Sequence, residues 1–341
     1  MHLVLPSLTP QVPTPVQRGH APVGWPSQAG KPAWRGPAGE FALALTEGNY
    51  SEADPHAILT AVLVEFGNIL GRKVYWSHGN TKHYCNLFTC HVGRTAGARK
   101  GTATNDARWL LNMVDPSWPE PANGLSSGEG LIALVRDPSV QWHTDRVTKK
   151  KVPNDPGVSD KRRLILETEF GRTIRAMERK DSTLVNLLNV CWDDTINPSI
   201  ITKTLSMTAT NPHLSLIAHI TLNELQTLLE EKHIWSGFAN RWLWVAVTSL
   251  RDIPSPKDFS TQKPFLAYRR QMASAFAHAS DGHYTRSAKA GAWWNDELYA
   301  DLKHGRPDNL FGAATNRAEP MVMRLATLYA VLDRSSRIHL P

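Results

Sequence analysis

A glycine-containing segment in the first third of the chain carries the residue types that bind phosphate. It runs Gly93-Arg-Thr-Ala-Gly-Ala-Arg-Lys-Gly-Thr102. Phosphate binding needs backbone N–H groups that point inward, glycines that permit such a turn, a lysine for the β- and γ-phosphate oxygens and a hydroxyl group for Mg²⁺. The segment supplies all four, so the sequence predicts that ATP binds to Gly93, Thr95, Gly97, Arg99, Lys100, Gly101 and Thr102, with Mg²⁺ at Thr102.

The spacing of this segment differs from the standard phosphate-binding loop. In the standard pattern a glycine precedes the lysine and the hydroxyl residue follows it directly, whereas Gly101 here separates Lys100 from Thr102. The residues alone leave open a glycine-containing turn on a basic surface. A predicted strand over 86–92 and a predicted helix over 103–113 flank the segment, and this strand-loop-helix order favours phosphate binding.

A candidate catalytic carboxylate follows the next apolar strand, Leu164-Ile-Leu166, which ends in Glu167-Thr-Glu169. A P-loop ATPase needs a carboxylate at the tip of a neighbouring strand to hold Mg²⁺ or to polarise the attacking water. We therefore predict that Glu169, or Glu167, is catalytic and that Glu169 shares Mg²⁺ with Thr102. The alternative is an acid that starts a helix and interacts with the positive end of its dipole.

These residues must be positioned by elements whose order indicates an α/β fold. Continuously apolar strands alternate with helical patterns, which implies a mostly parallel sheet covered by helices on both faces. Residues 1–37 are rich in proline and are predicted to be a disordered linker. An α/β core is predicted over 38–250 and a mainly helical C-terminal region over 251–341.

Particular elements follow from start and stop signals. Asp54-Pro55 predicts a helix start, because an acid caps the first turn and proline fits the first helical position, and Gly71 predicts its end. Further strands are predicted over 204–210, 214–221 and 241–247, and further helices over 184–192, 222–233 and 321–332. The first of these strands would place Asn211 beside the nucleotide as a sensor of the γ-phosphate, although Asn-Pro also builds ordinary turns.

Charge and composition restrict the partners. The formal net charge is +7, which suits a nucleic-acid partner. Three cysteines at irregular spacing indicate reduced thiols and a cytoplasmic location, and no apolar run is long enough to predict a membrane span. Two basic runs are candidate contacts to a nucleic-acid backbone, with solvated loop charge as the alternative: Lys149, Lys150, Lys151, Arg162 and Arg163.

Six short motifs in a fixed order resemble one family. They are Gly67-Asn68 with Gly71-Arg72; Val92-Gly93-Arg-Thr with Arg99-Lys100-Gly101-Thr102; Gly124-Leu-Ser-Ser-Gly-Glu-Gly-Leu-Ile with Arg136-Asp137; Glu167-Thr-Glu169-Phe170; Thr210-Asn211-Pro212-His213; and Gly237-Phe-Ala-Asn240-Arg241. Over roughly residues 38 to 335 the chain resembles the bacterial, phage and plasmid family of primase-associated, helicase-like proteins, which is catalogued as a domain of unknown function.

The resemblance implies a P-loop NTPase core of the RecA-like or AAA-like kind. It implies that Lys100 and Thr102 contact phosphate and Mg²⁺, and that Glu169 is the acid after the second core strand. It also implies that Arg241 serves the nucleotide of a neighbouring subunit in a ring-shaped homo-oligomer. Two departures are that Ala103 stands where relatives often have a second hydroxyl, and that the chain stops at Pro341 where relatives usually continue, which suggests truncation.

The function expected from these observations is an ATP-dependent motor or remodelling ATPase of the primase-helicase kind. It would hydrolyse ATP while acting on single-stranded or forked DNA during replication of a phage, plasmid or other mobile element, in some cases with a primase-polymerase. The alternative is a non-catalytic nucleic-acid-binding accessory with a degenerate phosphate loop, and the order Lys-Gly-Thr is the feature that supports it.

Overall fold

Short strands and helices alternate along the described part of the chain. The computed structural model describes residues 16–17, 26–94, 97–139, 141–145, 147–201, 206–249, 251–279, 282–304 and 308–340. The helices are α1 Gly36–Glu47, α2 Pro55–Leu70, α3 Lys100–Leu111, α4 Gly128–Ala133, α5 Phe170–Met177, α6 Leu184–Asp193, α7 Leu222–Leu228, α8 Glu231–Trp235, α9 Lys263–His278, α10 Ala288–Trp293, α11 Tyr299–His304, α12 Leu310–Thr315 and α13 Ala318–Leu332. The strands are β1 Val16–Gln17, β2 Val74–His78, β3 Thr81–Tyr84, β4 Phe88–Gly93, β5 Trp142–Thr144, β6 Lys151–Pro153, β7 Arg162–Glu167, β8 Ser199–Ile201, β9 Ser206–Thr208, β10 His213–Thr221, β11 Trp242–Val247, β12 Arg251–Asp252, β13 Gly282–His283, β14 Thr285–Arg286 and β15 Arg337–Ile338.

A four-stranded, all-parallel sheet in the order β11-β4-β10-β7 forms the centre of the structure. Every residue of β4 is buried, as is nearly all of β10, because both strands have neighbours on either side. The strands all run the same way, so their last residues share one edge, here called the carboxyl edge, and their first residues share the opposite edge, the amino edge. This confirms the predicted parallel sheet flanked by helices.

Helix α2 covers one face of this sheet and contacts all four of its strands. Its sequence is apolar on every side, as a helix enclosed by other elements requires, and α1, α3 and α13 pack around it. The predicted cap is present: the Asp54 carboxylate accepts from the His56 N–H at 2.9 Å, and Gly71 ends the helix with φ +61°. Helices α5, α6 and α7 contact β10 on the other face.

Polar groups fix the C-terminal end of α2 to the amino edge. The Asn68 side chain donates to the main-chain oxygens of Arg163 and His213 at 3.2 and 3.1 Å. The His213 imidazole in turn donates to the carbonyl oxygen of Gly67 at 2.9 Å. Gly67 itself has no room for a side chain, since a Cβ atom would lie 2.2 Å from the Cys85 carbonyl oxygen. The helix and two strand starts therefore meet in one fixed arrangement.

Residues 251–341 are mainly helical where described, and these helices pack into the same core. Helix α13 contacts α1, α2, α9 and β2. Its Arg324 is completely buried and donates to the main-chain oxygens of Asn86 and Trp192 at 2.5 and 2.7 Å. A guanidinium group buried this deeply needs such acceptors, so the C-terminal helices are part of the central fold.

Three predicted elements differ from the structure. Within the predicted linker, 26–37 includes a 3₁₀ turn over Lys31–Trp34 and the start of α1. The strand predicted over 204–210 is described only as β9, which pairs with β8 in a hairpin. The single helix predicted over 222–233 is two helices, α7 and α8, because the N–H at 230 bonds to the His233 side chain in a new capping box.

A buried acid on α2 makes stability depend on pH. Glu65 is fully buried, neither of its carboxylate oxygens has a hydrogen-bond partner among the described residues, and burial raises its pKa to about 8. The folded protein thus holds a proton that the unfolded chain releases above its ordinary pKa near 4.5. The contribution of Glu65 to stability therefore falls as pH rises from about 4.5 to 8, with a slope of at most about 1.4 kcal/mol per pH unit.

We expect Glu65→Gln to flatten this dependence, because the amide has nearly the same shape and does not titrate. Urea unfolding, followed by tryptophan fluorescence at pH 5 to 9, measures the free energy of unfolding of both proteins. The difference between them, variant minus wild type, should increase with pH. Glu47→Gln, at an exposed position on α1, is the control. Parallel pH profiles for wild type and Glu65→Gln would contradict the assignment.

Candidate nucleotide-binding site

The predicted phosphate loop connects β4 to α3 at the carboxyl edge of the sheet. Gly93 is the last residue of β4 and Lys100 is the first residue of α3. A Cβ atom on Gly93 would lie 2.6 Å from the Val247 carbonyl oxygen and 2.7 Å from the Ala98 side chain. The glycine therefore permits close contact between the loop and the end of β11. Thr95, which the sequence assigned to nucleotide binding, lies outside the described residues.

The first N–H groups of α3 have no side-chain partner among the described residues. Arg99 precedes the helix in a left-handed conformation with φ +46°, and its side chain does not cap the helix but donates to the Glu52 carboxylate at 2.6 Å. Among the described residues no side chain accepts from the first turn of α3. Free N–H groups and the positive end of the helix dipole together attract anions. The following Gly101 and Thr102 are exposed.

The Lys100 ammonium group folds back over the loop. It donates to the carbonyl oxygen of Arg94 at 3.3 Å. Burial lowers the pKa of Lys100, and the neighbouring Cys90 raises it in part. A lysine held against loop carbonyls at the start of a helix is placed to exchange that carbonyl for a phosphate oxygen.

Two stacked histidines lie close to Lys100. His91 of β4 and His219 of β10 are paired in register, with ring centroids 5.4 Å apart. His219 lies 3.1 Å from the Thr104 hydroxyl of α3. Burial lowers the pKa of His219 to about 4 and that of His91 well below its ordinary value. Both rings are thus neutral near pH 7 and add no positive charge beside Lys100.

Sequence reasoning did not assign His91 or Thr104 to the site. The available signal was the period of two in β4, which places His91 on the same face of the sheet as α2. Its ring lies 2.9 Å from the Thr60 hydroxyl on that helix. The partner of each histidine is far away in sequence, so local patterns do not reveal the stack.

The two candidate acids have different environments. Glu167 is buried, and its oxygens accept from the Leu125 N–H at 2.6 Å and the Thr173 hydroxyl at 3.2 Å. Through Ala218, its register places it level with Cys90, three residues before the end of β4. Glu169 is exposed two residues further on, directly before α5. Of the two, only Glu169 presents a free carboxylate at the carboxyl edge.

Glu169 and Thr102 have side chains of the kind that bind Mg²⁺. Across the described residues, no group of three or more His, Cys, Asp and Glu side chains is arranged to hold a metal ion. A Mg²⁺ ion bound with a nucleotide needs fewer protein ligands, because phosphate oxygens and water supply the others. The Thr102 hydroxyl and the Glu169 carboxylate are both exposed oxygen ligands of the type that Mg²⁺ prefers.

The structure does not bring Asn211 or Arg241 to the carboxyl edge. Asn211 precedes β10 and Arg241 precedes β11, so both lie at the amino edge. Asn211 is therefore roughly 26 Å away along the nine residues of β10. The Arg241 guanidinium is buried, bonds to Asp193 at 2.5 Å and also donates to the Gly237 carbonyl oxygen. A sensor role and a role in a neighbouring subunit's site both lack support in this arrangement.

The basic candidates fall into two groups. Lys149, Lys150 and Lys151 are exposed at the hairpin of β5 and β6. Arg162 instead bonds to Asp115 at 2.6 Å and to Asp160 at 2.8 Å, and Arg163 donates to a main-chain oxygen. The three lysines remain available to a nucleic acid, whereas the two arginines mainly connect elements of the protein.

Comparisons with known proteins assign the chain to no family. No protein-family model matches the chain, and no curated protein matches it. The resemblance described above therefore stays a prediction. Within the described ranges, no helix combines the length and apolar character needed to cross a bilayer.

The close contact at Gly93 can be tested by comparing alanine substitutions at Gly93 and Gly101. Gly93→Ala should destabilise the fold by about 1 to 3 kcal/mol, because its new methyl group must displace the β11 main chain or the loop. Gly101→Ala should be neutral or stabilising by up to about 1 kcal/mol, since a Cβ there meets nothing within 4 Å. Urea unfolding measures both. Equal effects of the two substitutions would contradict the described close approach.

Proposed function

We propose that this protein is an ATPase that acts on single-stranded nucleic acid, of the primase-helicase kind and cytoplasmic. The observation that carries the proposal is the start of α3, where no described side chain caps the helix N-terminus and the Lys100 ammonium lies beside it, at the carboxyl edge of a parallel sheet. Ligands of open α/β sheets bind at this edge, and a helix start with free N–H groups suits a phosphate chain.

The order of the strands supports a nucleotide site with a catalytic acid. Strand β10 separates β4, which leads into the loop, from β7, which leads to Glu169. Two strand spacings put about 10 Å between β4 and β7 across the sheet, and β7 ends level with Cys90, three residues before the end of β4. That gap leaves room for phosphate groups between loop and acid. An extra strand between these two is also the order expected of a RecA-like ATPase.

Each site residue has a separate task in this proposal. The N–H groups at the start of α3 and the Lys100 ammonium bind the phosphate oxygens and hold the γ-phosphate in place. Thr102 and Glu169 would hold Mg²⁺, which neutralises charge on the β- and γ-phosphates. Glu169 also orients a water molecule by accepting its hydrogen bond. Glu167 positions the segment around Leu125 rather than contacting the nucleotide.

The proposal includes a homo-oligomer and a primase-polymerase partner only on the strength of the resemblance. Arg241 is omitted from the active site because its side chain is buried against Asp193 within its own chain. Oligomerisation is a separate property, and sedimentation with ATP and DNA measures it.

ATP hydrolysis with and without an oligonucleotide tests the proposal. We expect Mg²⁺-dependent turnover that single-stranded DNA stimulates. Lys100→Ala should lower turnover by about 100-fold or more, because it removes a preorganised charge from the transferring phosphate. Glu169→Gln should lower it by about 100- to 10,000-fold with nucleotide binding retained, because only the carboxylate activates water.

Lys289→Ala, at an exposed lysine of α10, is the charge-matched control and should hydrolyse ATP as the wild type does. Circular dichroism establishes that each variant is folded. Folded wild-type protein that neither binds nor hydrolyses ATP would overturn the ATPase assignment. If that protein still binds DNA, the non-catalytic accessory function replaces it.

A further inference from the structure

A large open groove at the amino edge combines cations with aromatic rings. Its volume is about 1050 Å³. One wall is the small sheet of β13, β2 and β3, with the end of α9. The other wall is formed by the starts of β7 and β10 and by the segment after α3. The volume lies at the upper limit of pockets that enclose one small molecule, and the open shape suits a longer ligand.

Strand register places aromatic and basic side chains on one face of the small sheet. Tyr75 pairs with Tyr84 and Ser77 pairs with Lys82, and alternate residues of a strand share a face. The exposed His283 of β13 stacks on Tyr75, with ring centroids 5.5 Å apart and an angle of 10° between planes. Tyr75 and Tyr84 therefore line the groove, and the exposed His283 stacks beside Tyr75.

Two of the three lysines that line the groove lie over aromatic rings. The Lys73 ammonium is 4.2 Å from the ring centre of Phe276, and the Lys82 ammonium is 4.5 Å from that of Tyr75. Both lysines are exposed, and in the described part of the chain neither pairs with a carboxylate. A cation–π contact at an exposed site is weak, so a phosphate group would draw the ammonium away and leave the ring face open.

The acids of the groove do not neutralise these lysines. Asp115 and Asp160 line it, and both are bonded to Arg162. Lys161 is likewise bonded to Asp137. Arg72 is bonded to Asp194 as well. Among the described lysines and arginines of the groove, Lys73 and Lys82 are therefore the two that no carboxylate pairs with, and each has a ring beside it.

We propose that this groove binds single-stranded nucleic acid. Phosphates contact Lys73 and Lys82, while bases stack on His283 and on the ring faces of Tyr75 and Phe276 that the lysines release. Unpaired bases are required, because paired bases do not present their faces to side chains. The inference takes its class of ligand from the proposed function, yet it needs no ATP at the distant carboxyl edge.

Fluorescence anisotropy with labelled 20-nucleotide dT and U oligomers, in the absence of ATP, tests the proposal. Lys73→Ala and Lys82→Ala should each weaken binding and lower the slope of log affinity against log salt by about 0.7. Tyr75→Leu should weaken binding about 5- to 150-fold, as expected for one lost stacked base. Tyr75→Phe retains the ring and should bind as the wild type does.

Lys289→Ala is the charge-matched control, and Lys150→Ala tests the β5–β6 hairpin as a separate contact. Thermal melting establishes that every variant is folded. Binding of dT, of U or of both with the expected losses supports the proposal and tells which strand is preferred. If Lys73→Ala, Lys82→Ala and Tyr75→Leu all bind with wild-type affinity, the proposal is overturned, whether or not Lys150→Ala loses binding. Equal binding of duplex DNA, or of polyphosphate without dependence on Tyr75, also overturns it.

The same variants separate this site from the ATPase site. Groove variants should keep turnover without DNA and lose its stimulation, whereas Lys100→Ala should lose turnover and keep oligonucleotide binding. Loss of oligonucleotide binding in Lys100→Ala, with the groove variants unaffected, would place the nucleic acid at the carboxyl edge and overturn the inference.

Discussion

The burial of α2 on every side is the constraint on which the structure depends. Sixteen residues of helix run against all four strands of the sheet and are enclosed by α1, α3 and α13. Burying so much apolar surface is the main stabilising contribution, and it obliges each polar group on the helix to find a partner inside. Asn68 finds strand oxygens, and Asp54 accepts from the N–H of Thr248 at 2.8 Å. Only Glu65 is left without one among the described residues, and it adapts by holding its proton.

The two edges of the sheet differ in how their polar groups are satisfied. At the amino edge, Arg241 is bonded to Asp193, and Asn68 joins the strand starts to α2. At the carboxyl edge, the first turn of α3 has no side-chain cap among the described residues, and Thr102 and Glu169 are exposed. Because groups without a partner inside the protein are available to ligands, the proposed chemistry on phosphate is assigned to the carboxyl edge. The groove at the amino edge offers weakly held lysines and rings instead, which suits binding without reaction.

Local signals predicted the elements well where each signal is complete within a few residues. Asp54-Pro55 and Gly71 delimit α2, and the apolar run before Glu167 predicts β7. The parallel sheet follows from the alternation of strands with helices. The position of a loop residue is harder to predict, since it depends on the bounds of the next strand. Asn211 was expected at the end of a strand and instead precedes β10, which moves it to the other edge.

The buried pairs could not be predicted, because their partners are far apart in the sequence. Glu167 is satisfied by Leu125, and Arg241 by Asp193, and neither partner has a local pattern. The strands that form the groove are even further apart in the sequence, because β13 follows β2 and β3 by about two hundred residues. Residue types alone suggested the exposed lysines of the β5–β6 hairpin as nucleic-acid contacts. They gave no sign that Lys73 and Lys82 each have an aromatic ring beside them.

The distance between the two edges limits how they can influence each other. Helix α2 spans about 24 Å, from Asp54 beside the end of β11 to Gly71 in the groove, and β10 spans a similar length beside it. Both elements are buried and closely packed, and interiors of this kind shift as units rather than deform gradually. Any movement of α2 against the sheet would therefore act at both edges. Asn68 and His213 hold the groove end of α2 in place, so such a movement must break or carry along their hydrogen bonds to the strand starts.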